Sequence, residues 1–299
     1  MVERFAAQLA DTPFAADTRE RLDSGVIAQV RDLGLLGLAD EGGDLGYAAV
    51  ALYELARKDA ALALFVAGHC AGAAALHAAG ANGGTLTILQ PKTFSVDRID
   101  GNLALTAQGT VGFLEYATSF VAPVRVSGKP VIAHGSCHLL GETTPFKSVG
   151  VSAAGMERAT LEDVVLESCD SSAYDHFERW YWVGLAAIAA GVARAAADVG
   201  TLYAGERKQF GKALSEFQVT QFKIADLAIR ADAAWLMVLR ASMALDVQAI
   251  KDAAVFASHC AVSNSDESLQ LHGGYGYTRE YPIERYYRDA RALSVLART

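Results

Sequence analysis

Residues 206–227 read ERKQFGKALSEFQVTQFKIADL and contain a glycine-ended break between two segments with helical spacing. Arg207 lies at the start of this break, next to further basic and polar residues. A guanidinium in such a corner suits a phosphate or pyrophosphate group, because it donates several hydrogen bonds in a fixed plane. Taken alone, however, Arg207 is better explained as one half of a surface ion pair.

A second informative stretch, LQLHGGYGYTREYPIERYYRDAR, occupies residues 269–291. It places His272, Gly273 and Gly274 at the end of a predicted helix. Because glycine has no side chain, the backbone there can lie close to a flat or phosphorylated ligand. The simpler alternative is that the two glycines only terminate the helix. Both stretches are therefore candidate binding elements, and neither identifies a ligand by itself.

The residues around these stretches predict a helical bundle. From about residue 172 onward, apolar residues recur with helical spacing. The pattern predicts three long helices and one short closing helix, and long helices that follow one another in this way form antiparallel bundles. We assign residues 171–299 to this C-terminal domain.

Two further domains precede the bundle. Residues 1–82 are rich in alanine and leucine and predict a shortened helical domain. Residues 83–170 predict a small β-domain, because apolar and polar side chains alternate and Ser127-Gly128 is typical of a hairpin turn. The segment 147–168 is also predicted to form short strands. The fold class is therefore mainly α with a small central β-domain.

Composition argues against several classes of function. The chain has 299 residues, a formal net charge of -8 and four widely separated cysteines. A negative chain without a basic patch is not expected to bind nucleic acid, and the cysteine spacing predicts neither a disulfide framework nor a metal site. Residues 60–81 are long and apolar enough to span a bilayer, but their many alanines and glycines favour a buried helix. Without a signal peptide, we expect a cytoplasmic protein with no membrane span.

Taken together, the motifs resemble the acyl-CoA dehydrogenase family. Its members carry an ERKxFGK corner, a glutamine on the next helix, a Q-x-x-GGxGY turn and a YPxERxxRDAR helix, and this sequence has all four in that order. The resemblance implies an acyl-CoA dehydrogenase-like fold, with an α-domain, a β-domain and a C-terminal four-helix bundle. It also implies that FAD is the cofactor and is shared across a subunit interface.

The resemblance implies roles for individual residues. Carried over from the family, Arg207 reaches the pyrophosphate of a flavin that is bound mainly by a neighbouring subunit. Phe210 packs near that cofactor, and Gln218 contacts it. These residues bind and orient the nucleotide half of FAD and perform no chemistry. On the adenine side, the implied contacts are Gln270, Gly273 and Gly274.

The catalytic base of the family is not evident here. Most members remove the α-proton with a glutamate shortly after the RDAR motif, and the aligned residue in this chain is Ala297. Other members place the base on the first long helix of the bundle, where ungapped alignment gives Tyr181. Glu178 lies one turn earlier and is the candidate base, if the helix start is shifted by three residues. The alternative that we favour is that Glu178 and Arg179 form an ordinary ion pair near the helix start.

The β-domain departs from the family pattern as well. The segment LALTAQGTVGFLEYATSFVAP, residues 103–123, retains at most a remnant of the stretch that holds the flavin ring in the family. Thr106, Gln108, Gly109 and Thr110 form this remnant, and its acid-and-serine part is missing. The missing features therefore belong to the flavin-ring and substrate half of the site, whereas the retained ones serve the nucleotide half.

Three hypotheses follow from this division. The first is a subunit of a heteromeric α₂β₂ acyl-CoA dehydrogenase, whose related partner supplies the base; the chain resembles the shorter member of actinobacterial pairs that degrade steroid side chains. The second is a self-sufficient homotetramer that dehydrogenates an acyl-CoA or acyl-carrier-protein thioester with Glu178 as base. In both, electrons pass to an electron-transfer flavoprotein-like acceptor. The third is a non-catalytic scaffold that has lost the flavin.

Overall fold

The computed structural model describes residues 2–9, 21–40, 43–99, 102–169, 171–244 and 246–298. Its N-terminal part is helical. Aspartates precede three of its helices and accept hydrogen bonds from first-turn amides, which is the usual way to begin a helix. Among the residues described there, the α-helices are α1 (Val2–Leu9), α2 (Ser24–Asp32), α3 (Leu45–Ala56) and α4 (Ala60–Ala78).

Two long apolar helices lie inside the protein. They are α4 and the first helix of the C-terminal part, α5 (Ser171–Glu206), both long and apolar enough to cross a bilayer. In each, 83% of the most apolar window is buried within the fold. Packing against other helices thus accounts for their composition, as expected for residues 60–81.

A closed sheet forms the central part of the chain. Its strands are β1 (Leu86–Ile99), β2 (Asn102–Val111), β3 (Ser119–Val126), β4 (Lys129–Ser136), β5 (Thr144–Pro145) and β6 (Glu157–Cys169). The strand order is β2-β1-β3-β4-β6-β5, and an additional β2–β6 pairing closes the sheet. The sheet encloses its own apolar core.

The predicted hairpin turn is confirmed. Val126 pairs with Lys129, so that Ser127 and Gly128 form a two-residue turn between β3 and β4. Both turn residues have positive φ, 50° and 81°, which is typical of the tight turn that matches the twist of the strands.

The prediction of strands across residues 147–168 is wrong in its first half. Only β6 is a strand, and the residues before it form a loop with a 3₁₀ turn at Ser152–Ala154. Val151 and Gly155 have φ of 47° and 54°, far from the extended values of a regular strand. Alternation of apolar residues suggested a strand, but this loop packs against a helix instead of a neighbouring strand.

The C-terminal part is a bundle of three long helices closed by a shorter one. After α5 come α6 (Gln218–Ala244), α7 (Val247–His272) and α8 (Ile283–Leu296). Small residues bring α5 close to its neighbours: a Cβ at Gly191 would lie only 2.5 Å from the carbonyl oxygen of Tyr53 on α3. The predicted fold class, mainly α with a small central β-domain, is confirmed.

Candidate functional site

A short hairpin between α5 and α6 holds the first motif. Its strands are β7 (Lys208–Gln209) and β8 (Lys212–Ala213), joined by a turn at Phe210 and Gly211 with φ of 53° and 84°. Arg207 is fixed at the base of this hairpin, because its amide donates to the Tyr203 carbonyl and its carbonyl accepts from the Leu214 amide, both at 2.9 Å.

The hairpin and the glycine turn after α7 face each other across one cleft. Its volume is about 450 Å³, and Arg207, Gly273, Gly274 and Tyr275 are among its lining residues. The guanidinium carbon of Arg207 lies 5.7 Å from the centroid of the Tyr275 ring, an attractive cation–π geometry. The structure therefore brings three of the residues singled out in the sequence into one place.

The floor of this cleft is open backbone. A Cβ built on Gly273 or Gly274 would meet no atom within 4 Å, and Gly273 has φ of 59°, which favours glycine. The cleft thus places backbone without side chains beside a guanidinium, a combination that suits a phosphorylated ligand with a flat ring.

A buried histidine supports the glycine turn. His272 Nδ1 lies 2.7 Å from the carbonyl oxygen of Ser268, and its ring stacks on Tyr203 with centroids 4.1 Å apart. Burial lowers the pKa of His272 and keeps the ring neutral, so Nδ1 is the protonated nitrogen that donates to this carbonyl. Tyr203 was not predicted as part of the site, although its place on α5, one turn before Arg207, indicates that the two residues share a helix face.

Three other predicted residues lie outside the cleft. Phe210 is 93% exposed at the tip of the hairpin, and Gln218 and Gln270 are also exposed. None of these three belongs to the residues that line the cleft. Within this single chain the structure thus gathers Arg207 and the glycine turn and leaves the other side chains on the surface.

A second cavity, of about 460 Å³, lies between the β-domain and the helices. Its walls come from α4, β1, β2, α5, α8 and the loop before β6, and most of them are apolar. A hydrogen bond of 3.1 Å joins Gln90 Nε2 to the hydroxyl of Tyr181 at its wall. Burial raises the pKa of Tyr181, so its phenol stays protonated. Among the described residues that line the cavity, none carries a carboxylate.

The candidate base Glu178 does not line this cavity. Its Oε1 lies 2.5 Å from Nζ of Lys251 on α7, and only 18% of its side chain is exposed. Its partner is therefore Lys251, one helix away, whereas the sequence suggested Arg179. Tyr181, one turn later on α5, is the residue that faces the cavity.

The other positions expected near the flavin ring and the substrate, Ala297 and the remnant in β2, also place no carboxylate at the cavity. Ala297 follows the last turn of α8 and is 4% exposed. Of the remnant in β2, only Thr110 lines the cavity, and the Thr106 hydroxyl instead donates to Asp163 Oδ1 at 2.7 Å. Within the described ranges, no group of three or more His, Cys, Asp or Glu side chains could hold a metal ion.

Known proteins resemble this chain in sequence and in fold. Residues 177–297 match the family described as "Acyl-CoA dehydrogenase, C-terminal domain". The chain is 37% identical over 166 residues to the probable acyl-CoA dehydrogenase YngJ of Bacillus subtilis, covering 51% of this chain and 44% of that protein. The matched segment thus spans less than half of the length of that relative.

Solved structures extend the likeness to nearly the whole chain. Butyryl-CoA dehydrogenase from Megasphaera elsdenii superimposes with a TM-score of 0.83 at 20% identity, covering 99% of this chain and 93% of that chain. A variant of the Tcur3481–Tcur3483 steroid ACAD superimposes with a TM-score of 0.85 at 21% identity, covering 99% and 92%. The predicted acyl-CoA dehydrogenase-like fold is thereby confirmed.

Proposed function

The C-terminal domain of this chain belongs to the acyl-CoA dehydrogenase family, and on that premise we propose that the chain is one subunit of a heteromeric FAD-dependent acyl-CoA dehydrogenase. The reaction removes a proton from Cα of an acyl-CoA thioester and transfers a hydride from Cβ to FAD, leaving an α,β-unsaturated thioester and reduced flavin. This chain contributes contacts to the nucleotide half of the flavin, and a related partner supplies the base.

The cleft beside the glycine turn fits the nucleotide half of FAD. Arg207 places a guanidinium at its rim, where it would hold the pyrophosphate, and the bare backbone at Gly273 and Gly274 leaves room for a ribose or adenine to approach. When bound, FAD supplies the hydride acceptor of the reaction. The residues of this cleft would anchor and orient it, because none of them is placed to exchange a proton with a substrate.

The observation that carries the heteromeric proposal is the composition of the apolar cavity. It has the size and apolar walls that suit an acyl chain. Proton abstraction from Cα requires a basic group within hydrogen-bonding reach. Along its described lining there is no carboxylate, and Glu178 is engaged by Lys251 instead. We therefore infer that the active site is divided between two chains: this chain contacts the nucleotide half of FAD, and the other supplies the catalytic base.

An exposed apolar seam on α6 supports the presence of a partner. Phe222, Ile229 and Leu236 are each 64% exposed, and Met243 is 75% exposed. They recur every seven residues, so they lie along one side of the helix, as do the seam residues of packed helices. Solvent-facing apolar rows of this kind are typical of protein–protein interfaces. Phe210, at the tip of the hairpin, would be covered by the same assembly.

The related chain is preferred over a second identical copy as the occupant of this seam. A homotetramer would bury the seam equally well, but each of its cavities would lack a carboxylate unless Glu178 left Lys251 and turned toward Tyr181. A scaffold without flavin would have no need of the open glycine floor opposite Arg207. The heteromer accounts for both sites at once.

The proposal also covers the acyl-CoA substrate, the electron acceptor and the cellular location. The fold shared with the Tcur3481–Tcur3483 steroid ACAD makes a steroid side-chain thioester our first choice of acyl-CoA, by analogy of fold alone. We propose an electron-transfer flavoprotein-like protein as the electron acceptor and the cytoplasm as the location.

Co-purification tests this proposal. The chain would be co-expressed with a longer acyl-CoA dehydrogenase-related chain encoded near it, and the mass and flavin content of the product would be determined. We expect an α₂β₂ complex with one FAD for each pair of chains. A homo-oligomer of this chain that carries one FAD per chain would contradict it.

A further inference from the structure

One wall of the apolar cavity is a loop of unusual conformation. Residues 146–151, here termed the cavity loop, all line the cavity between β5 and β6. The helix α8 also lines the cavity, with Arg291, Ala292, Val295 and Leu296, and the cavity loop packs directly against this helix. The cavity loop and α8 are therefore adjacent walls, and any shift of the loop relative to the helix changes the shape of the space between them.

Three contacts fix the cavity loop to α8. The Val151 amide donates a hydrogen bond of 2.6 Å to Asp289 Oδ1. Arg288 Nη1 donates to the Val149 carbonyl oxygen at 2.8 Å. Between these bonds, Gly150 packs directly on the helix backbone, since a Cβ there would lie 2.1 Å from the Arg288 carbonyl oxygen.

The backbone at Val151 shows that the loop is held in place. Its φ of 47° lies in the left-handed region, which is a genuine outlier for a β-branched residue. Such a conformation persists only where surrounding contacts determine it. The hydrogen bond to Asp289 is made by the amide of this same residue, so it is the contact best placed to hold the outlier.

Asp289 is itself fixed by the anchoring of α8 on the N-terminal domain. Arg285 Nη2 donates to the Lys58 carbonyl oxygen at 2.9 Å, and the Tyr286 hydroxyl donates to the Arg57 carbonyl oxygen at 3.1 Å. The charges that face Asp289 are Arg285 and Arg288 on its own helix and Asp59 from the turn before α4.

We propose that Asp289 is a positioning residue that holds the cavity loop against α8 and thereby sets the shape of the space offered to the acyl chain. The identity of the occupant rests on the proposed function, whereas the positioning of the loop does not. Asp289 is not among the residues that line the cavity, and it acts through its hydrogen bond to Val151, which does line it.

Hydrogen exchange of the full chain, followed by mass spectrometry, tests the positioning without flavin, substrate or partner. We expect amides of residues 146–153 to exchange at least about ten-fold faster in Asp289→Ala than in the wild type, because Val151 loses a charge-assisted acceptor. Asp289→Asn keeps an acceptor oxygen, so its exchange should stay within about three-fold of the wild type. Asp266→Ala, at an exposed site on α7, is the matched control.

A second pair of variants keeps the test decisive if Asp289→Ala does not fold. Gly150→Ala should speed exchange in the same peptide, since its Cβ cannot fit against Arg288. Gly205→Ala is its control, because a Cβ there meets no atom within 4 Å. The proposal would be overturned if exchange of the cavity loop were unchanged in Asp289→Ala or in Gly150→Ala. It would also be overturned if the buried α5 peptide 186–196 exchanged faster by the same factor as the loop. The third contrary result is exchange of the loop in Asp289→Asn as fast as in Asp289→Ala.

The assembled enzyme supplies a separate readout. There, Asp289→Ala should raise KM for an acyl-CoA at least about three-fold while kcat changes less. The reason is that the substitution alters the shape of the cavity and removes no group that reacts with the substrate. If no acyl-CoA is turned over by any assembly, the proposed function fails, and the exchange result still stands or falls by itself.

Discussion

The guanidinium carbon of Arg207 lies 5.7 Å from the centroid of the Tyr275 ring. Arg207 directly follows the longest helix of the bundle, α5, and Tyr275 belongs to the glycine turn that follows α7. Their contact brings two motifs that are distant in sequence together in one cleft. This pairing is the basis for assigning the cleft to a pyrophosphate-containing cofactor.

Replacing Arg207 should release the flavin. In the assembled protein, Arg207→Ala is expected to weaken FAD binding about 10- to 100-fold, the usual loss for a charge-assisted hydrogen-bond donor. Equilibrium dialysis with absorbance of the bound flavin measures this change. Lys129→Ala is the control, because Lys129 is exposed at the β3–β4 hairpin of the β-domain and does not line the cleft. Equal flavin retention in both variants would remove Arg207 from the site.

Glu178→Gln should leave turnover unchanged. Because Glu178 pairs with Lys251 and does not line the cavity, its loss removes an ion pair and no proton acceptor. We expect stability to fall by about 1 kcal/mol or less and acyl-CoA turnover by the complex to match the wild type. A variant that keeps its flavin but loses turnover would identify Glu178 as the base and support the homotetramer.

Gly191→Ala should destabilise the fold, opposite to the usual effect of replacing glycine within a helix. The new Cβ would lie 2.5 Å from the Tyr53 carbonyl oxygen and 2.9 Å from the Ala56 side chain, so α5 and α3 must separate. A loss of about 1–3 kcal/mol is expected in urea unfolding. Gly205→Ala, with open space around it, should be neutral or stabilising by up to about 1 kcal/mol.

The stability of the chain should depend on pH through Asp289. Burial raises the pKa of this carboxyl to about 6, although Arg285 and the Val151 amide favour the charged form. The folded state therefore binds the proton more tightly than the unfolded state, where the pKa is about 4. The stabilising contribution is complete below about pH 4 and is lost as the pH rises through about 6.

Comparison with Asp289→Asn isolates this dependence, because asparagine does not titrate. Relative to that variant, the wild type should lose about 2 kcal/mol of stability between pH 4 and pH 7 in urea unfolding. A difference that stays constant over this range would show that the carboxyl is not buried as described. A carboxylate that lowers stability at neutral pH is consistent with a residue kept for positioning.

Charged substitutions in the α6 seam should prevent assembly without unfolding the chain. Leu236 is 64% exposed in the single chain, so Leu236→Glu is expected to change the free energy of unfolding by no more than about 0.5 kcal/mol. In sedimentation analysis, however, its association with the partner should weaken at least about ten-fold. Val165→Glu makes the same kind of change on β6 and should assemble normally; equal behaviour of the two variants would count against the seam as the interface.

The fold followed from the sequence where local signals were strong. Helical spacing in residues 172–296 and the Ser127-Gly128 turn each predicted the structure correctly, because amphipathic helices and tight turns are determined by neighbouring residues. The cavity loop was predicted as strand and is not, because its conformation depends on Asp289 and Gly150 packing against a helix that is distant in sequence.

The candidate site was predictable only in part for the same reason. The motifs identified Arg207 and the glycine turn, but not that Tyr275 would join them. The pairing of Glu178 with Lys251 and the apolar lining around Tyr181 could not be read from the sequence, because both depend on how α5, α7 and the β-domain pack together. Phe210 is 93% exposed in the single chain, so the role that we propose for it depends on an assembly.

We propose that this chain contributes FAD contacts and that a related chain supplies the catalytic base. The most direct test is the flavin spectrum of the purified chain, recorded alone and together with the related chain. Each spectrum is taken before and after anaerobic addition of an acyl-CoA. We predict little bound flavin in the chain alone, and a yellow complex with the partner that the acyl-CoA bleaches. A yellow protein that is bleached by the acyl-CoA without any partner would contradict the assignment of the base to another subunit.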